Sequence, residues 1–473
     1  MKKLQVRLNS INESIIKNWF WLHIIFIAFY ILYVSYKVIK GVNPIYSVIE
    51  KTFDFNLLSF IFIIIGFSLI EISFTFLKLK INWLYLIAFI SYLLISFGYI
   101  ATLDKGLNWK GSDVAWGNYN SAEEFNKFGI VPGIKDWNER ANPYVGNQQS
   151  EFSDSIKRII DKFNLRWLAF DKWKTNKIPK RYEAENNRPI MHPPLAPIAL
   201  SLWLKLFPFG HWAAEIFMIL LEFASIILIF VLIGKGLKNY NRISILLLAL
   251  ITTPVMIRFH DPSAEQLSML LFLLSTYLIF DIQKSTLSRY FLSGLLIGLT
   301  FYTKFNIVFY IAIQLIFFII NRRRIKLKNI TAYISGFLAI VCVFTILGYY
   351  FWLTFLTGFV YSKLYALQHP VTIVQGFSKV LYFGPSILLL LLLLILDFKE
   401  YRNKTILAPV LLSLVVTMIF LWDAGTWNRY LVFYLPVLFS FLLKSKCNID
   451  LKTRDILIIP ITNIIFITLN IYF

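Results

Sequence analysis

The stretch INWLYLIAFISYLLISFGYIA, Ile81 to Ala101, carries no charged side chain in 21 positions. A helix rises about 1.5 Å per residue, so this run reaches roughly 30 Å, the thickness of bilayer hydrocarbon. Leu57 to Phe76 and Ile387 to Leu396 are further apolar runs. Because they are continuous rather than alternating, they predict helices and not barrel strands. The composition agrees: 58% of the 473 residues are hydrophobic and 15% charged, against about 25% charged in soluble domains. Lipid, not water, is the main solvent.

A formal net charge of +21 would suggest nucleic acid in a soluble protein. Here the basic residues sit in short loops between apolar runs. They cluster at Lys2, Lys3 and Arg7, at Lys78 and Lys80, at Lys235, Lys238 and Arg242, and at Arg322, Arg323, Arg324, Lys326 and Lys328. Two more clusters are Lys399, Arg402 and Lys404, and Lys444, Lys446, Lys452 and Arg454. This is the positive-inside pattern of cytoplasmic loops, and no basic stripe interleaved with aromatics lies elsewhere, so no nucleic-acid partner is expected. The two cysteines, Cys342 in a predicted span and Cys447 in a predicted cytoplasmic loop, make no disulfide framework. Trp19 to Val38 is too long for a signal-peptide core and is read as a retained first span.

The expected fold is an all-α polytopic membrane protein of about 13 transmembrane helices, in the plasma membrane with its N-terminus cytoplasmic. Spans fall near 19–40, 56–77, 81–101, 211–234, 241–258, 264–282, 289–304, 305–321, 329–352, 377–397, 404–421, 428–444 and 455–473. Three regions follow: N-terminal spans over 1–101, an extracytoplasmic segment over 102–210, and a helix bundle over 211–473. Between Thr102 and Met191 lies a polar loop holding roughly half of the Asp and Glu residues. Within it, Phe152, Ile156, Ile159, Ile160, Phe163, Trp167 and Phe170 recur at helical spacing, which predicts a helix lying in the membrane interface or packed on a small core of the loop. Arg188-Pro-Ile-Met-His-Pro-Pro-Leu195 leads into Ala196 to Phe209, too short to span and broken by Pro197 and Pro208. Proline restricts the residue before it and fits a first helical turn, so His192 is held just ahead of a helix start.

Charged groups at outer span ends are costly to keep beside lipid and are the candidates for chemistry. They are Asp104 and Asp113 in the large loop, His192, the group Arg258, His260 and Asp261 with Glu265, then Lys304, and Arg429 in Trp-Asn-Arg-Tyr430. Each has a plainer reading: a solvated loop aspartate for Asp113, a helix cap for Asp261, and interfacial snorkelling for Lys304 and Arg429. Glu215 and Glu222 lie seven residues apart in one span, hence on one helix face, and support an alternative reading as a membrane transporter or lipid flippase. A non-catalytic scaffold would leave the ordered motifs unexplained.

The acidic first outer loop, the His-Pro-Pro-Leu195 segment, the Arg258 to Asp261 loop and Leu-Ser-Gly-Leu-Leu-Ile-Gly-Leu-Thr-Phe-Tyr-Thr-Lys304 occur in one order. That order resembles the GT-C class of membrane glycosyltransferases, and is most similar to protein O-mannosyltransferases and aminoarabinose transferases. The likeness covers roughly Asp113 to Lys304 and extends loosely to Arg429. It implies a GT-C-like bundle with juxtamembrane helices on a large first outer loop, and a polyprenyl-phosphate donor of dolichyl or undecaprenyl type. It also implies Asp113 as the catalytic carboxylate, since Ser-Asp-Val-Ala-Trp-Gly117 looks like the family's Asp-Glu pair followed by an aromatic. Val114 stands where that Glu is expected, leaving Asp104, Glu123 and Glu124 as secondary carboxylates. Glu215 also departs, at a position where relatives often carry Arg, and two spans rather than one precede the span leading into the loop.

A phosphate leaving group needs positive charge rather than a strong acid, which Lys304, Arg429 and Arg258 would supply. The acceptor hydroxyl, on a protein, lipid or cell-envelope glycan, needs a base, for which Asp113 is the choice. Attack opposite the phosphate inverts the anomeric carbon. Asp113, His192, His260 and Asp261 offer N and O ligands for Mg or Mn, which would neutralise the same phosphate charge, and Glu265 joins them as a substrate or metal contact.

Overall fold

The computed structural model describes residues 2–39, 81–103, 113–130, 193–233, 264–280, 286–304, 308–349, 384–396 and 451–472, with Ala249 and scattered positions between 61 and 72. Twelve helices and no strand occur among them. In chain order they are α1 (Lys2–Lys17), α2 (Trp19–Ile39), α3 (Ile81–Leu103), α4 (Asp113–Phe128), α5 (Leu195–Leu206) and α6 (His211–Ile233). There follow α7 (Glu265–Phe280), α8 (Leu287–Phe301), α9 (Val308–Ile320), α10 (Leu327–Ile346), α11 (Gly384–Leu396) and α12 (Thr453–Tyr472). The predicted spans 19–40, 81–101, 211–234, 264–282 and 455–473 coincide with α2, α3, α6, α7 and α12 to within about two residues, as apolar runs with polar ends should. Apart from Ala249, the spans predicted at 241–258, 404–421 and 428–444, and the interfacial helix over 151–174, lie outside the described residues.

Length and composition allow His211–Leu228 and Leu327–Ile346 to cross a membrane, and a third span arises if Ser10–Lys17 and Trp19–Tyr33, bent by 72°, act as one. The protein is a helical membrane protein. A count of thirteen is not confirmed: among the described residues α7, α8 and α11 are shorter apolar helices.

The chain divides into two compact units, one of residues 1–111, 219–260 and 371–473, the other of 112–218 and 261–370. In the first, α2 packs against α12, with the Arg454 guanidinium 4.6 Å from the Phe20 ring centre. The buried imidazole of His23 joins α2 to α11 through a 2.8 Å hydrogen bond between Nε2 and Ser386 Oγ. Tyr92 on α3 donates to Glu222 Oε2 at 2.6 Å, beside a Phe89–Phe223 ring contact at 4.9 Å. A buried carboxylate therefore has a built donor, as burial requires.

In the second unit, α8 is the central element. It lies against α10 so closely that a Cβ on Gly294 would overlap the Tyr333 carbonyl, and one on Gly336 would overlap the Phe291 carbonyl. Gly294 and Gly298 form the small-xxx-small spacing that lets helix backbones touch where no hydrophobic effect drives them together. On the other side, Ser275 of α7 and Ser293 of α8 donate reciprocally to each other's carbonyl oxygens at 2.9 Å. Gln314 of α9 donates to Ser275 and Thr276 and accepts from Tyr333 of α10, so one amide ties three helices.

Candidate functional site

The site is built around the C-terminal end of α8. Tyr302 N–H donates to Gly298 O, and Thr303 and Lys304 N–H both donate to Thr300 O, closing the helix in a tight turn. The Thr303 hydroxyl also donates to Thr300 O at 2.7 Å. Phe301, Tyr302, Thr303 and Lys304 are all buried. Tyr302 stacks on Phe344 with ring centres 4.0 Å apart and meets Tyr349 edge-on at 5.8 Å, which pins the turn to α10 and the residues after it.

Two helix starts meet this end. The first is α5. Its N-cap position is Pro194, which has no side-chain cap, and Leu195 N–H donates instead to the Tyr302 carbonyl at 2.9 Å. An otherwise orphaned helix-start donor and an otherwise orphaned helix-end acceptor thus satisfy each other. The second is α7, whose first residue is Glu265. Lys304 Nζ donates to Glu265 Oε1 in an ion pair with both side chains buried, at 3% and 6% exposure. Lys304 therefore does not snorkel to solvent. Its ammonium sits at a helix C-terminus and its partner carboxylate at a helix N-terminus, each on the side its helix dipole favours. The Pro-Pro-Leu195 and Tyr-Thr-Lys304 motifs, over a hundred residues apart in the chain, form one junction.

Asp113 is placed differently. The sequence predicts a loop at this position, whereas Asp113 is the first residue of α4, a polar helix that packs against α5 and buries Tyr119, Ala122 and Phe125. Ser201 on α5 donates to Asn126 on α4 at 2.6 Å, and the Tyr119 ring lies 4.5 Å from that of His211. Asn126 is thus beside the middle of α5, and Tyr119 beside the turn that follows it. The two helices therefore run in opposite senses. Thirteen residues of helix separate Asp113 from Asn126, roughly 20 Å at about 1.5 Å per residue.

On α4, Glu123 is exposed and Glu124 half-buried. Glu123 accepts from the Tyr119 hydroxyl. Burial first, and then that hydrogen bond and the carboxylate charge, push Tyr119 well above the ordinary tyrosine range. Glu215 and Glu222 are both buried on α6, and Glu222 is held by Tyr92 as described. Asp104, His192, Arg258, His260, Asp261 and Arg429 lie outside the described residues, as does any contact among them. Among the described residues no three His, Cys, Asp or Glu side chains gather as metal ligands. The described carboxylate of the junction, Glu265, is engaged by Lys304.

Residues 191–349, which contain α5, Glu265 and Lys304, match the family model described as dolichyl-phosphate-mannose-protein mannosyltransferase. This stretch is similar to the GT-C glycosyltransferases. The match supports a mannosyltransferase-type glycosyltransferase of the membrane, and its limits enclose the whole junction of α5, α7 and α8. Asp113 and Arg429 fall outside it. No curated protein and no solved structure matches the chain.

What sequence reasoning missed here is the pairing of Glu265 with Lys304. The signal was available in part: an acid opening one apolar helix and a base closing the next are neighbours whenever the two helices form an antiparallel hairpin.

Proposed function

We propose that the protein transfers a sugar from a polyprenyl-phosphate donor to an acceptor hydroxyl on the extracytoplasmic face of the membrane, with inversion at the anomeric carbon. The observation that carries this reading is the Leu195 N–H to Tyr302 O bond. It joins two motifs of the mannosyltransferase-like stretch beside a buried, oriented lysine. The matched family points to dolichyl-phosphate mannose as donor and a protein hydroxyl as acceptor.

In this mechanism the anomeric carbon–phosphate oxygen bond breaks as the acceptor oxygen bonds to the opposite face of the sugar. The polyprenyl phosphate leaves with the electron pair, and Lys304 stabilises the charge it gains. The hydroxyl proton goes to a carboxylate within hydrogen-bond reach. Two residues compete for that role. Asp113 has the motif, and Asp261 has the chain position, four residues before Glu265.

Transfer from dolichyl-phosphate mannose to a serine- and threonine-rich peptide, followed in single turnover with the protein in vesicles, tests the reading. Either Asp113→Asn or Asp261→Asn should lower the chemical step by 100-fold or more on the scale of general-base removal, about 10²–10⁴. If both variants turn over at the unaltered rate, carboxylate-assisted displacement is wrong. If the unaltered protein accepts no polyprenyl-phosphate sugar, the donor class is wrong. A sugar trapped covalently on the protein would overturn inversion.

A further inference from the structure

We infer that Glu265 is a positioning residue for the donor phosphate: through its contact with Lys304 it fixes where the ammonium presents itself at the junction of α5, α7 and α8. This rests on the proposed reading of Lys304 as the cation that meets the phosphate.

Geometry separates this role from two others. The first is that of the base. An inverting displacement places base and leaving phosphate on opposite sides of the anomeric carbon. A carboxylate in contact with the phosphate-binding lysine is therefore on the leaving-group side, the wrong side to take the acceptor's proton. The second is that of a simple brace. Burying two charges is expensive, and apolar side chains of similar volume commonly hold two helices together as well as a buried ion pair does. The α7–α8 contact already has the reciprocal Ser275–Ser293 bonds and the Gln314 bonds to Ser275 and Thr276. A charged clasp at the end of the same hairpin adds little to that seam, but it holds a flexible four-carbon side chain in one orientation.

The surroundings suit an anion that arrives beside the pair. An ammonium has three N–H donors, so contact with Glu265 and contact with a phosphate oxygen are chemically compatible. The starts of α5 and α7 both present the positive ends of helix dipoles toward this junction, and Tyr302 fixes the lysine's backbone by its stacking on Phe344. With backbone and head group both fixed, the donor phosphate meets a preorganised charge, the condition under which such charges act most strongly on a transition state.

The test is Glu265→Gln, with Lys304→Ala and Glu265→Asp alongside, assayed for mannosyl transfer from dolichyl-phosphate mannose in vesicles and for thermal midpoint. Glu265→Gln should raise donor KM and lower kcat over donor KM by 10-fold or more, leave acceptor KM within 2-fold, and retain a cooperative melt. Glu265→Asp, which keeps the charge one methylene shorter, should recover part of the loss. If Glu265→Gln melts earlier but its donor kinetics per folded molecule are unchanged, the residue is a brace and the inference falls. Where Glu265→Gln does not fold, Glu265→Asp decides, with unchanged donor KM overturning the inference. If Lys304→Ala itself transfers normally, the phosphate reading fails. If Lys304→Ala fails while Glu265→Gln is normal, that reading stands and only the positioning role is lost.

Discussion

Two buried carboxylates in this molecule are held in opposite ways. Glu222, well inside α6, accepts from the neutral Tyr92 hydroxyl of α3. Glu265, at the first residue of α7, meets the Lys304 ammonium at the end of α8. The first contact lies in the apolar body of a helix pair, where a neutral donor satisfies the acceptor without introducing a second charge. The second lies where helix ends already present unsatisfied N–H and C=O groups. The difference teaches that buried polarity has two uses here: linking helices within lipid, and shaping a charged junction where chemistry is proposed.

Substitutions separate those uses. The largest effect is expected from Lys304→Ala, which should lower the single-turnover rate by about 100-fold or more, on the scale of removing one electrostatic stabiliser. A rate within a few-fold of the unaltered protein would make the junction a brace of the same kind as Tyr92–Glu222. Next comes Tyr92→Phe, which deletes the donor to a buried carboxylate and should cost about 1–3 kcal/mol in stability. Its sugar transfer per folded molecule should be unchanged, and a selective loss of transfer would bring the α6 carboxylates into the mechanism. Glu222→Gln keeps an acceptor oxygen for Tyr92, so its thermal midpoint should move less than that of Tyr92→Phe. A larger drop would mean that the carboxylate charge itself is needed.

The smallest effect concerns Tyr119 and Glu123 on α4, a second contact of hydroxyl with carboxylate, this one outside the spans. The folded state raises the tyrosine's pKa, so it holds the proton more tightly than the unfolded chain. Its contribution is fully present below the ordinary tyrosine value of about 10 and is lost as pH rises from there toward the folded value. Thermal midpoints measured from pH 9 upward should therefore fall less steeply in Tyr119→Phe. Parallel curves for the two proteins would remove this contact from the pH response.

Apolar periodicity and loop charge were sufficient to find α2, α3, α6, α7 and α12 with accurate ends, because a span must be long, apolar and flanked by polar groups. The start of α5 was also readable, since Pro193 and Pro194 restrict the chain before Leu195. α4 was not readable as a helix. Its buried residues Tyr119, Ala122 and Phe125 are diluted by Asn118, Asn120, Ser121, Glu123 and Glu124, so no apolar period shows between Asp113 and Phe128. Of the site, Lys304 and Glu265 were both visible as candidates, but their pairing was not. Glu265 is 39 residues from Lys304, and Tyr92 is 130 from Glu222. Contacts of that separation depend on which helices become neighbours, and each residue alone has a plausible bland role at its own position.

The glycine contact between α8 and α10 bears on how the protein is made. α8 has 15 residues and carries Ser293 and Thr300, so by itself it is a poor candidate to leave the translocation machinery for lipid. α10 has 20 residues and enough apolar length to partition unaided. With backbones that meet at Gly294 and Gly336, the earlier-synthesised α8 gains its stable place once α10 emerges to dock on it. Insertion of this helix pair would then proceed by delayed, paired entry rather than one segment at a time.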